Sequence, residues 1–421
     1  MKPLIVSTED ICGGAAIAAF RLHTGLLKIE CESRMFVRRK SSNLDSVIEF
    51  KLSTDFATRL RRRLKRELTF LALKKYPAGL LAKHEFFSLP SSEYGYDAIR
   101  QLPTADVVNL HFITGFIDLE SFFNRTIGKT SVIWTLHDMN AVTGGCHYDH
   151  ECGKFSAGCG ACPILESNNK NDLSHKIWHQ KEKVYSYLKK SDLIIVTPSN
   201  WLAEQVKKRT SLAEKTIKVI PHGVDIDVFR PIDKKTVRNI LGIPESSFVL
   251  LFVAQKLSSK RKGFSYLRDA IASIDKNLSL FLLSVGGGTH PTNNSHFPSL
   301  HLGAIGNEQM MAMVYNAADV FVMPSLQDNL PNTVIESLSC GTPVIAFDAG
   351  GVPEMVRNGI TGTLVPPRDT RELQNAILEL VEDEKKRAQL SHNCRQIAIA
   401  EYRLEIQAKR YLDLYDKVLR L

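Results

Sequence analysis

The sequence predicts an α/β protein built of two doubly wound, Rossmann-like domains. Strand-length apolar runs alternate with helical patterns along the chain, which is typical of parallel sheets covered by helices. With 421 residues the chain is too long for one hydrophobic core and suits two. The segment Ile220–Pro231, rich in proline and glycine, separates two sets of these runs and is the expected boundary. Ligands of such sheets bind at the carboxyl ends of the strands, so candidate site residues are expected there.

Strands are predicted on both sides of this boundary. Those of the first half are Pro3–Val6, Met35–Val37, Val107–Leu110, Val132–Thr135 and Leu193–Val196. Those of the second half are Val249–Ala254, Leu280–Val285, Val320–Met323, Val344–Phe347 and Gly362–Val365. The predicted domains are residues 1–222, which include a cysteine-rich insert at 146–162, and residues 223–403, followed by an amphipathic helix at 404–421.

Composition and charge narrow the class of protein. Apolar residues make up 44% and charged residues 24% of the chain, ordinary values for a soluble globular protein, and every apolar run is too short to span a membrane. The first apolar run ends at Glu9 and Asp10, too early for a signal peptide, so a cytoplasmic location is expected. Lysine and arginine exceed aspartate and glutamate by 54 − 45 = 9, a moderately basic balance.

Much of the basic excess lies in one predicted helix, residues 59–75, which begins RLRRRLKR. One face is apolar and the rest is basic, because leucines recur at helical spacing at Leu60, Leu64, Leu68 and Leu71. Such a helix can lie on anionic lipid at the inner face of the cytoplasmic membrane. The alternative is a solvated helix whose leucines pack on the domain. Nucleic acid is not expected as a partner, since the sequence shows no aromatic interleaving or recognition motif.

Residues 323–354 form the most informative motif, MPSLQDNLPNTVIESLSCGTPVIAFDAGGVPE. Seven positions separate two acidic residues, Asp328 and Glu336, and the turn Asn329–Asn332 between them opens a short helix. The N–H groups and positive dipole end of a helix N-terminus suit an anion, and neighbouring carboxylates suit sugar hydroxyl groups. The combination predicts a binding site for a nucleotide sugar.

This motif resembles the donor-site signature of the retaining glycosyltransferases of family 4, which have the GT-B fold. The signature is an acid, seven residues, a second acid and then Gly-Thr-Pro-Val, found here at Gly341–Val344. Two features depart from it: the first acid is the shorter Asp328, and Asn329-Leu330-Pro331 replaces glycine-aromatic-glycine. Pro331 has no N–H to donate, so its neighbours must supply those contacts.

The resemblance implies roles for these residues of the second domain. Glu336 would accept hydrogen bonds from the ribose hydroxyls, and Asp328 would bind hydroxyls of the donor sugar. Backbone N–H groups around Asn329, Leu330 and Asn332 would hold phosphate or sugar.

The resemblance also assigns cations to the pyrophosphate. In VAQKLSSKRKGF, Lys262 precedes a glycine and matches the family's lysine, while Lys256 would replace its arginine. Lys256 keeps the charge but loses the bidentate geometry. Lys260 and Arg261 compete for that assignment.

Three residues of the first domain complete the predicted site. Gly13 and Gly14 open a helix after the first strand and match the family's glycine loop near the donor phosphates. His137, at the end of another strand, matches the histidine beside the reacting sugar. His111 ends a further strand, where either a site residue or a satisfied structural histidine is possible; His222 is interpreted as a linker residue.

The reaction implied by the resemblance is a retaining transfer that needs no catalytic divalent cation. The leaving phosphate itself would take the acceptor proton, so no protein base is assigned. An Asp-x-Asp motif, Asp225-Ile226-Asp227, falls in the boundary segment and is interpreted as structural. Family members also return their final helix to the first domain, which is expected here for residues 404–421.

Four of the eight cysteines cluster at Cys146, Cys152, Cys159 and Cys162. In a reducing cytoplasm this cluster favours a structural zinc site, with His147 and His150 as substitute ligands. Free or redox-active thiols and disulfides are the alternatives, because the second C-x2-C of a typical zinc site is missing. A similar cysteine-rich insert occurs in family 4 enzymes that build bacterial surface polysaccharides.

The expected function is transfer of a hexosyl group from a nucleotide diphosphate sugar to a hydroxyl of a glycan acceptor. The acceptor is expected to be attached to a polyprenyl carrier in bacterial polysaccharide biosynthesis. Two alternatives stay open. One is a degenerate partner subunit that binds nucleotide without turnover, favoured by Asp328, Pro331 and Lys256. The other is a sugar-nucleotide epimerase on the same fold, whose usual signatures lack this motif.

Overall fold

The computed structural model describes residues 1–76, 87–288 and 297–420. The chain divides into two compact units, Met1–Pro221 with Gln407–Leu421, and His222–Ile406, which we call domain 1 and domain 2. Sequence analysis put the boundaries after residues 222 and 403. The first division here falls after Pro221, and the second lies inside the final helix, Leu404–Leu419. Leu421, the end of the predicted helix, lies outside the described residues.

Domain 1 is a parallel sheet with helices between its strands. Its strands are β1 (Pro3–Glu9), β2 (Arg34–Arg39), β3 (Val47–Glu49), β4 (Val107–Leu110), β5 (Ser131–Thr135), β6 (Ile194–Thr197) and β7 (Thr216–Val219). Its described helices are α1 (Gly14–Lys28), α2 (Phe56–Lys74), α3 (Gly95–Arg100), α4 (Leu119–Thr126), α5 (Leu173–Tyr187), α6 (Asn200–Lys207) and α7 (Thr210–Ala213), with 3-10 turns at Lys154–Ser156 and Pro163–Leu165. The strand order is β3-β2-β1-β4-β5-β6-β7.

Domain 2 repeats this plan. Its strands are β8 (Phe248–Lys256), β9 (Leu280–Gly287), β10 (Ser299–His301), β11 (Val320–Met323), β12 (Val344–Phe347) and β13 (Gly362–Val365). Its described helices are α8 (Lys234–Leu241), α9 (Phe264–Ala272), α10 (Glu308–Ala317), α11 (Asn332–Ser339), α12 (Thr370–Glu382) and α13 (Glu384–Glu401), with 3-10 turns at Lys260–Lys262 and Val352–Glu354; the last helix, α14, is Leu404–Leu419. The strand order is β10-β9-β8-β11-β12-β13.

Both sheets are doubly wound, so the predicted α/β class is confirmed. All strand pairs within them are parallel. The ten predicted strands are present, and β7 matches a further strand-like run, Ile217–Ile220, at the boundary. β3 and β10 were not predicted. Both lie at sheet edges and are only partly buried, so they lack the continuous apolar run of a central strand. In each sheet the order reverses at one point, between β1 and β4 and between β8 and β11, which is where such folds bind ligands.

The final helix covers one face of the domain 1 sheet. Its apolar stripe, including Ala408, Tyr411 and Tyr415, packs with Ile5 and Ile133 of the sheet. Burying two tyrosines requires partners for their hydroxyls. A buried chain of polar groups on β4 and β5 supplies them.

The amide nitrogen of Asn109 donates to the Tyr415 hydroxyl at 2.9 Å. The Thr135 hydroxyl donates to the Asn109 amide oxygen at 2.9 Å and lies 3.0 Å from the Tyr411 hydroxyl. All four residues are buried. The network therefore fixes α14 on the sheet by hydrogen bonds as well as by apolar contact.

We expect Tyr415→Phe to lower the free energy of unfolding by about 1–3 kcal/mol, because the Asn109 amide would lose its acceptor in a dry environment. Urea unfolding measures this. The matched control is Tyr187→Phe, which removes an exposed hydroxyl bonded to Asn124 and should change stability by less than about 0.5 kcal/mol. Equal losses for the two variants would contradict the proposed anchoring of α14.

Candidate functional site

The switch point of domain 2 is built around Asp328. This residue follows β11, and the loop after β8 brings two cations to it. The Arg261 guanidinium donates to Oδ1 of Asp328 at 2.8 Å, and the Lys262 ammonium donates to Oδ2 at 2.8 Å. Backbone contacts join the same loops, since the Leu326 N–H donates to the Arg261 carbonyl at 2.8 Å. The predicted acid and the predicted lysine are therefore in direct contact.

This cluster is charged and largely buried. Side-chain exposure is 7% for Asp328, 9% for Arg261 and 19% for Lys262. Burial alone would raise the pKa of Asp328, but the adjacent Arg261 and Lys262 hold it well below its usual range. Asp328 is thus ionised and the three groups together carry one net positive charge. Such a cluster attracts an anion, and Lys262, the most exposed of the three, is the member best placed to meet it.

The structure shows the surroundings of the other residues expected to bind the donor. Asp328, expected to bind hydroxyls of a donor sugar, accepts one hydrogen bond from a cation on each carboxylate oxygen. Arg261, a competitor of Lys256 for the second cation, is the one that reaches Asp328, whereas Lys256 lies exposed at the end of β8. The sequence could not separate the members of the run Lys260–Lys262, because a basic run does not show which side chain turns inward.

Glycines make the approach of these loops possible. Gly350 has φ +64°, and a Cβ there would lie 2.0 Å from the Asp328 carbonyl oxygen. The next residue, Gly351, donates its N–H to that carbonyl at 2.9 Å. Gly263 has φ +74°, and its Cβ would lie 1.8 Å from the Pro324 carbonyl oxygen. A side chain at either position would push Asp328 away from its cations.

The second acid, Glu336, lies on α11 and is also buried. Its Oε2 accepts a hydrogen bond from the Tyr315 hydroxyl at 2.9 Å. Tyr315, on α10, is fully buried, so Glu336 is held in one orientation. Sequence analysis did not single out Tyr315, because a buried tyrosine in a helical stripe looks like any other core residue.

The turn between the acids leads into the N-terminus of α11. Asn329 and Leu330 are buried, and Pro331 precedes the helix without a side-chain cap. Asn332 opens the helix, and its amide oxygen lies 3.2 Å from Nδ1 of His222. The helix start retains its positive dipole end near the acidic pair. His222, interpreted as a linker residue, is in fact buried against this helix start.

The acidic motif Asp225-Ile226-Asp227 makes hydrogen bonds within the boundary segment itself. Asp225 accepts the N–H of Asp227 at 3.0 Å and that of Val228 at 3.4 Å. Both contacts close a turn within the segment, as the structural interpretation expects.

The switch point of domain 1 carries the other predicted residues. Gly13, with φ +92°, precedes α1, and Gly14 is the first residue of that helix. After β4 comes His111, whose Nδ1 lies 2.9 Å from Nε2 of His137, two residues beyond the end of β5. Since one imidazole must donate and the other accept, the contact fixes the tautomers of both rings relative to each other. His111 is therefore a partner of His137.

A second hydrogen-bonded chain follows His137. Oδ2 of Asp138 lies 2.6 Å from Nδ1 of His147, and Nε2 of His147 lies 2.9 Å from the Ser88 hydroxyl. The Ser88 N–H also donates to the Gly145 carbonyl at 2.8 Å. Both ring nitrogens of His147 are engaged, so His147 does not serve as the substitute metal ligand considered from the sequence.

The four clustered cysteines line one small cavity of about 20 Å³, together with residues such as Gly144 and Asp149. All eight cysteines of the chain are free thiols. Burial raises the pKa of Cys146 well above its usual range and that of Cys159 to about 11. Reactive cysteines need a lowered pKa, so the redox-active alternative is not supported. Among residues 1–76, 87–288 and 297–420, no three His, Cys, Asp or Glu side chains are already placed to hold a metal ion.

The basic helix predicted at 59–75 is α2, and its apolar stripe is not packed on the domain. Exposure is 47% at Leu60, 57% at Leu64 and 66% at Leu68, and Leu71 is exposed as well. The alternative in which these leucines join the core is therefore wrong. The helix is joined to domain 1 by polar contacts, among them Lys65 to Asp118 at 3.0 Å. No helix in the described part of the chain is long and apolar enough to cross a membrane.

Comparison with known proteins finds a family similar to domain 2. Residues 247–383 match the model of the family described as Glycosyl transferases group 1. These residues make up most of domain 2, so the match supports the resemblance predicted from the motif for this part of the chain.

Two curated relatives are named glycosyltransferases. D-inositol 3-phosphate glycosyltransferase of Thermobispora bispora is 30% identical over 221 residues, which cover 48% of this chain and 51% of the relative. N,N'-diacetylbacillosaminyl-diphospho-undecaprenol alpha-1,3-N-acetylgalactosaminyltransferase of Campylobacter jejuni is 29% identical over 262 residues, 60% of this chain and 64% of the relative. The chain spans about half the length of the first curated relatives it matches.

A solved structure extends the likeness to both domains. HepE of Anabaena, in complex with UDP-glucose, is similar with a TM-score of 0.65 and 17% identity, covering 99% of this chain and all of that one. At this identity the likeness shows a shared fold. It agrees with the GT-B fold implied by the sequence motif.

We expect Gly350→Ala to weaken nucleotide diphosphate binding by at least about tenfold, or ~1.4 kcal/mol, because the new Cβ displaces the loop that carries Asp328. Titration calorimetry measures the affinity. The matched control is Gly359→Ala in the same domain, which has φ +71° but no atom within 4 Å of the added Cβ. Both variants should lose about 1–2 kcal/mol of stability to backbone strain. A binding loss shared equally by the control would contradict the steric argument.

Proposed function

We propose that this chain is a retaining glycosyltransferase that moves a hexosyl group from a nucleotide diphosphate sugar to a hydroxyl of a glycan acceptor. The observation that carries the proposal is the cation cluster at the switch point of domain 2, most of which matches the family described as Glycosyl transferases group 1. Its net positive charge suits the pyrophosphate of such a donor. The relatives that are named glycosyltransferases support the same class of reaction.

The proposed chemistry uses fixed charges in place of a metal ion. Lys262 would neutralise the charge that develops on the leaving diphosphate, and Arg261 would hold Asp328 so that Lys262 keeps its position. A preorganised charge of this kind needs little rearrangement as the bond breaks. The N–H groups at the start of α11 would add to it. On this basis we expect no catalytic divalent cation.

The remaining residues would orient the sugar nucleotide. Glu336, fixed by Tyr315, would accept the ribose hydroxyls, and lone pairs of Asp328 not used by its cations would accept donor-sugar hydroxyls. In domain 1, His137 would hydrogen-bond the reacting sugar while His111 fixes its ring. Gly13 and Gly14 would approach the donor phosphates. The leaving phosphate would take the acceptor proton.

The proposed acceptor is attached to a polyprenyl carrier in bacterial polysaccharide biosynthesis. The Campylobacter jejuni relative is named for transfer to a diphospho-undecaprenol-linked sugar. The outward stripe of α2 gives this chain a surface that suits the same setting, because it combines exposed leucines with exposed arginines. Apolar side chains would enter the lipid and the cations would meet anionic headgroups. We therefore propose peripheral attachment to the inner face of the cytoplasmic membrane.

We expect the protein to be stabilised by one sugar nucleotide among UDP-, GDP- and ADP-sugars and to hydrolyse it slowly, with the rate unchanged by EDTA. Asp328→Asn should lower this turnover by about 100-fold or more, since it removes the charge that holds both cations, and should change nucleotide affinity far less. Hydrolysis assays and thermal-shift measurements test this. Asp275→Asn, at an exposed loop of domain 2, is the control and should retain full turnover.

The same assays decide between the alternatives. Nucleotide binding without any turnover would identify a degenerate partner subunit. Release of an epimerised sugar would identify an epimerase. Loss of turnover with EDTA that magnesium or manganese restores, and that zinc does not, would overturn the metal-independent mechanism.

We expect the protein to bind vesicles that contain anionic lipid, and the triple variant Arg59→Gln, Arg63→Gln, Arg66→Gln to bind them about 100-fold more weakly. Each cation near such a surface contributes about 1 kcal/mol. All three arginines are exposed on α2. The control removes the same charge elsewhere in domain 1, by Lys189→Gln, Lys190→Gln and Lys208→Gln. Vesicle flotation that is unaffected by the arginine changes would contradict the proposed contact.

A further inference from the structure

The cysteine cavity lies in a long segment with little core of its own. Between β5 and α5 the chain forms only two short 3-10 turns and a small apolar cluster with Cys146, Cys162, Ile164 and Leu165. Four thiols from separate parts of this segment surround a cavity of about 20 Å³. That volume admits about one water-sized sphere, so a single ion fits and a larger group does not.

Hydrogen-bond donors surround the sulfur atoms. The Gly144 N–H donates to Sγ of Cys159 at 3.1 Å. Backbone N–H groups of Leu165 and Ile164 also interact with the Cys162 sulfur. Donors of this kind stabilise negative charge on sulfur. A cysteine side chain binds a metal ion as the ionised thiolate, so donors of this kind favour the metal-binding form of these cysteines.

A buried lysine lies behind the same cavity. Lys181, on α5, is fully buried and its ammonium donates to Oδ1 of Asn140 at 3.3 Å and to the Thr143 carbonyl at 3.2 Å. It is within electrostatic range of Cys146 and Cys159. A divalent ion bound by four thiolates has two surplus negative charges, and a buried ammonium would offset part of them.

Other side chains near the cysteines are already used. His147, next to Cys146 in the sequence, has both ring nitrogens held by Asp138 and Ser88. The carboxylate of Asp149 accepts the N–H groups of Glu151 and Gly153 and so shapes its own loop. The ligand set left at the cavity is four cysteines.

We propose that Cys146, Cys152, Cys159 and Cys162 bind one structural zinc ion. Four sulfur ligands favour zinc over magnesium or calcium, which prefer oxygen. Binding would draw the sulfurs together, because no three of them within the described residues are yet placed to hold an ion. The ion would tie the two ends of the segment to each other and so steady the Asp138–His147 contact beside His137. This inference does not depend on the transferase proposal.

The test is the zinc content of the purified full-length protein, measured by atomic emission after growth with zinc and again after dialysis against a chelator. We expect one zinc per chain in the wild type and a lower melting temperature after chelation, restored by zinc. Cys152→Ser changes one of the two less buried cysteines of the four, and this variant should bind zinc at least about tenfold more weakly. Cys394→Ser, at an isolated buried cysteine, is the control and should keep its zinc.

A second measurement covers the case in which Cys152→Ser fails to fold. Cobalt added to the chelated wild type should give the strong near-ultraviolet and visible bands of tetrahedral thiolate coordination. The proposal would be overturned if the wild-type protein lacked stoichiometric zinc or if Cys152→Ser held as much zinc as the wild type. It would also be overturned if the purified protein contained iron in place of zinc, or if the cysteines formed a disulfide and were no longer free thiols. None of these results depends on a donor sugar, so they leave the transferase proposal to its own test.

Discussion

The contact of Asp328 with Arg261 and Lys262 is the interaction on which the domain 2 site depends. Three charged groups with little exposure would be costly to bury singly, and they are tolerated because each satisfies another. The contact joins the loop after β8 to the loop after β11. These are the two strands at which the order of the sheet reverses. The contact of Asp328 with its two cations therefore lies where this fold binds ligands.

The same constraint explains several residues that make no chemical contribution themselves. Gly263 and Gly350 are required because carbonyl groups of the acidic loop occupy the space of a side chain. Tyr315 fixes Glu336 from the neighbouring helix. The acidic pair is thus held from several sides before any ligand arrives, which limits the reorganisation that binding requires.

Domain 1 follows the same plan with different chemistry. Its switch point has a glycine turn after β1 and a histidine after β4, and the histidine contacts His137 at the next strand. Domain 2 therefore presents cations and carboxylates, whereas domain 1 presents a glycine turn and imidazoles.

Periodicity was sufficient for the central strands, and motif spacing placed the candidate site at the switch point of domain 2. They could not identify the contact of Arg261 with Asp328, because inward and outward side chains look alike within Lys260–Lys262. They missed the edge strands β3 and β10, whose residues are only partly buried. They also left the surroundings of α2 open, since a stripe of leucines shows which face is apolar but not whether protein or another medium covers it.

The moderately basic balance of the chain is best understood from where its cations lie. Arg209 and Arg238 are buried and paired with Glu182 and Asp319, and Arg261 is paired with Asp328, so these cations support the fold or the site. Among the described residues, the exposed Arg59, Arg63 and Arg66 of α2 lie outside such ion pairs, whereas Arg61 lies over the Tyr96 ring. They share their helix with leucines that are also exposed. In water an apolar stripe of this kind gains nothing from exposure. Exposed leucines beside exposed cations are what the proposed contact with an anionic membrane requires, because such a surface offers both hydrocarbon and negative charge.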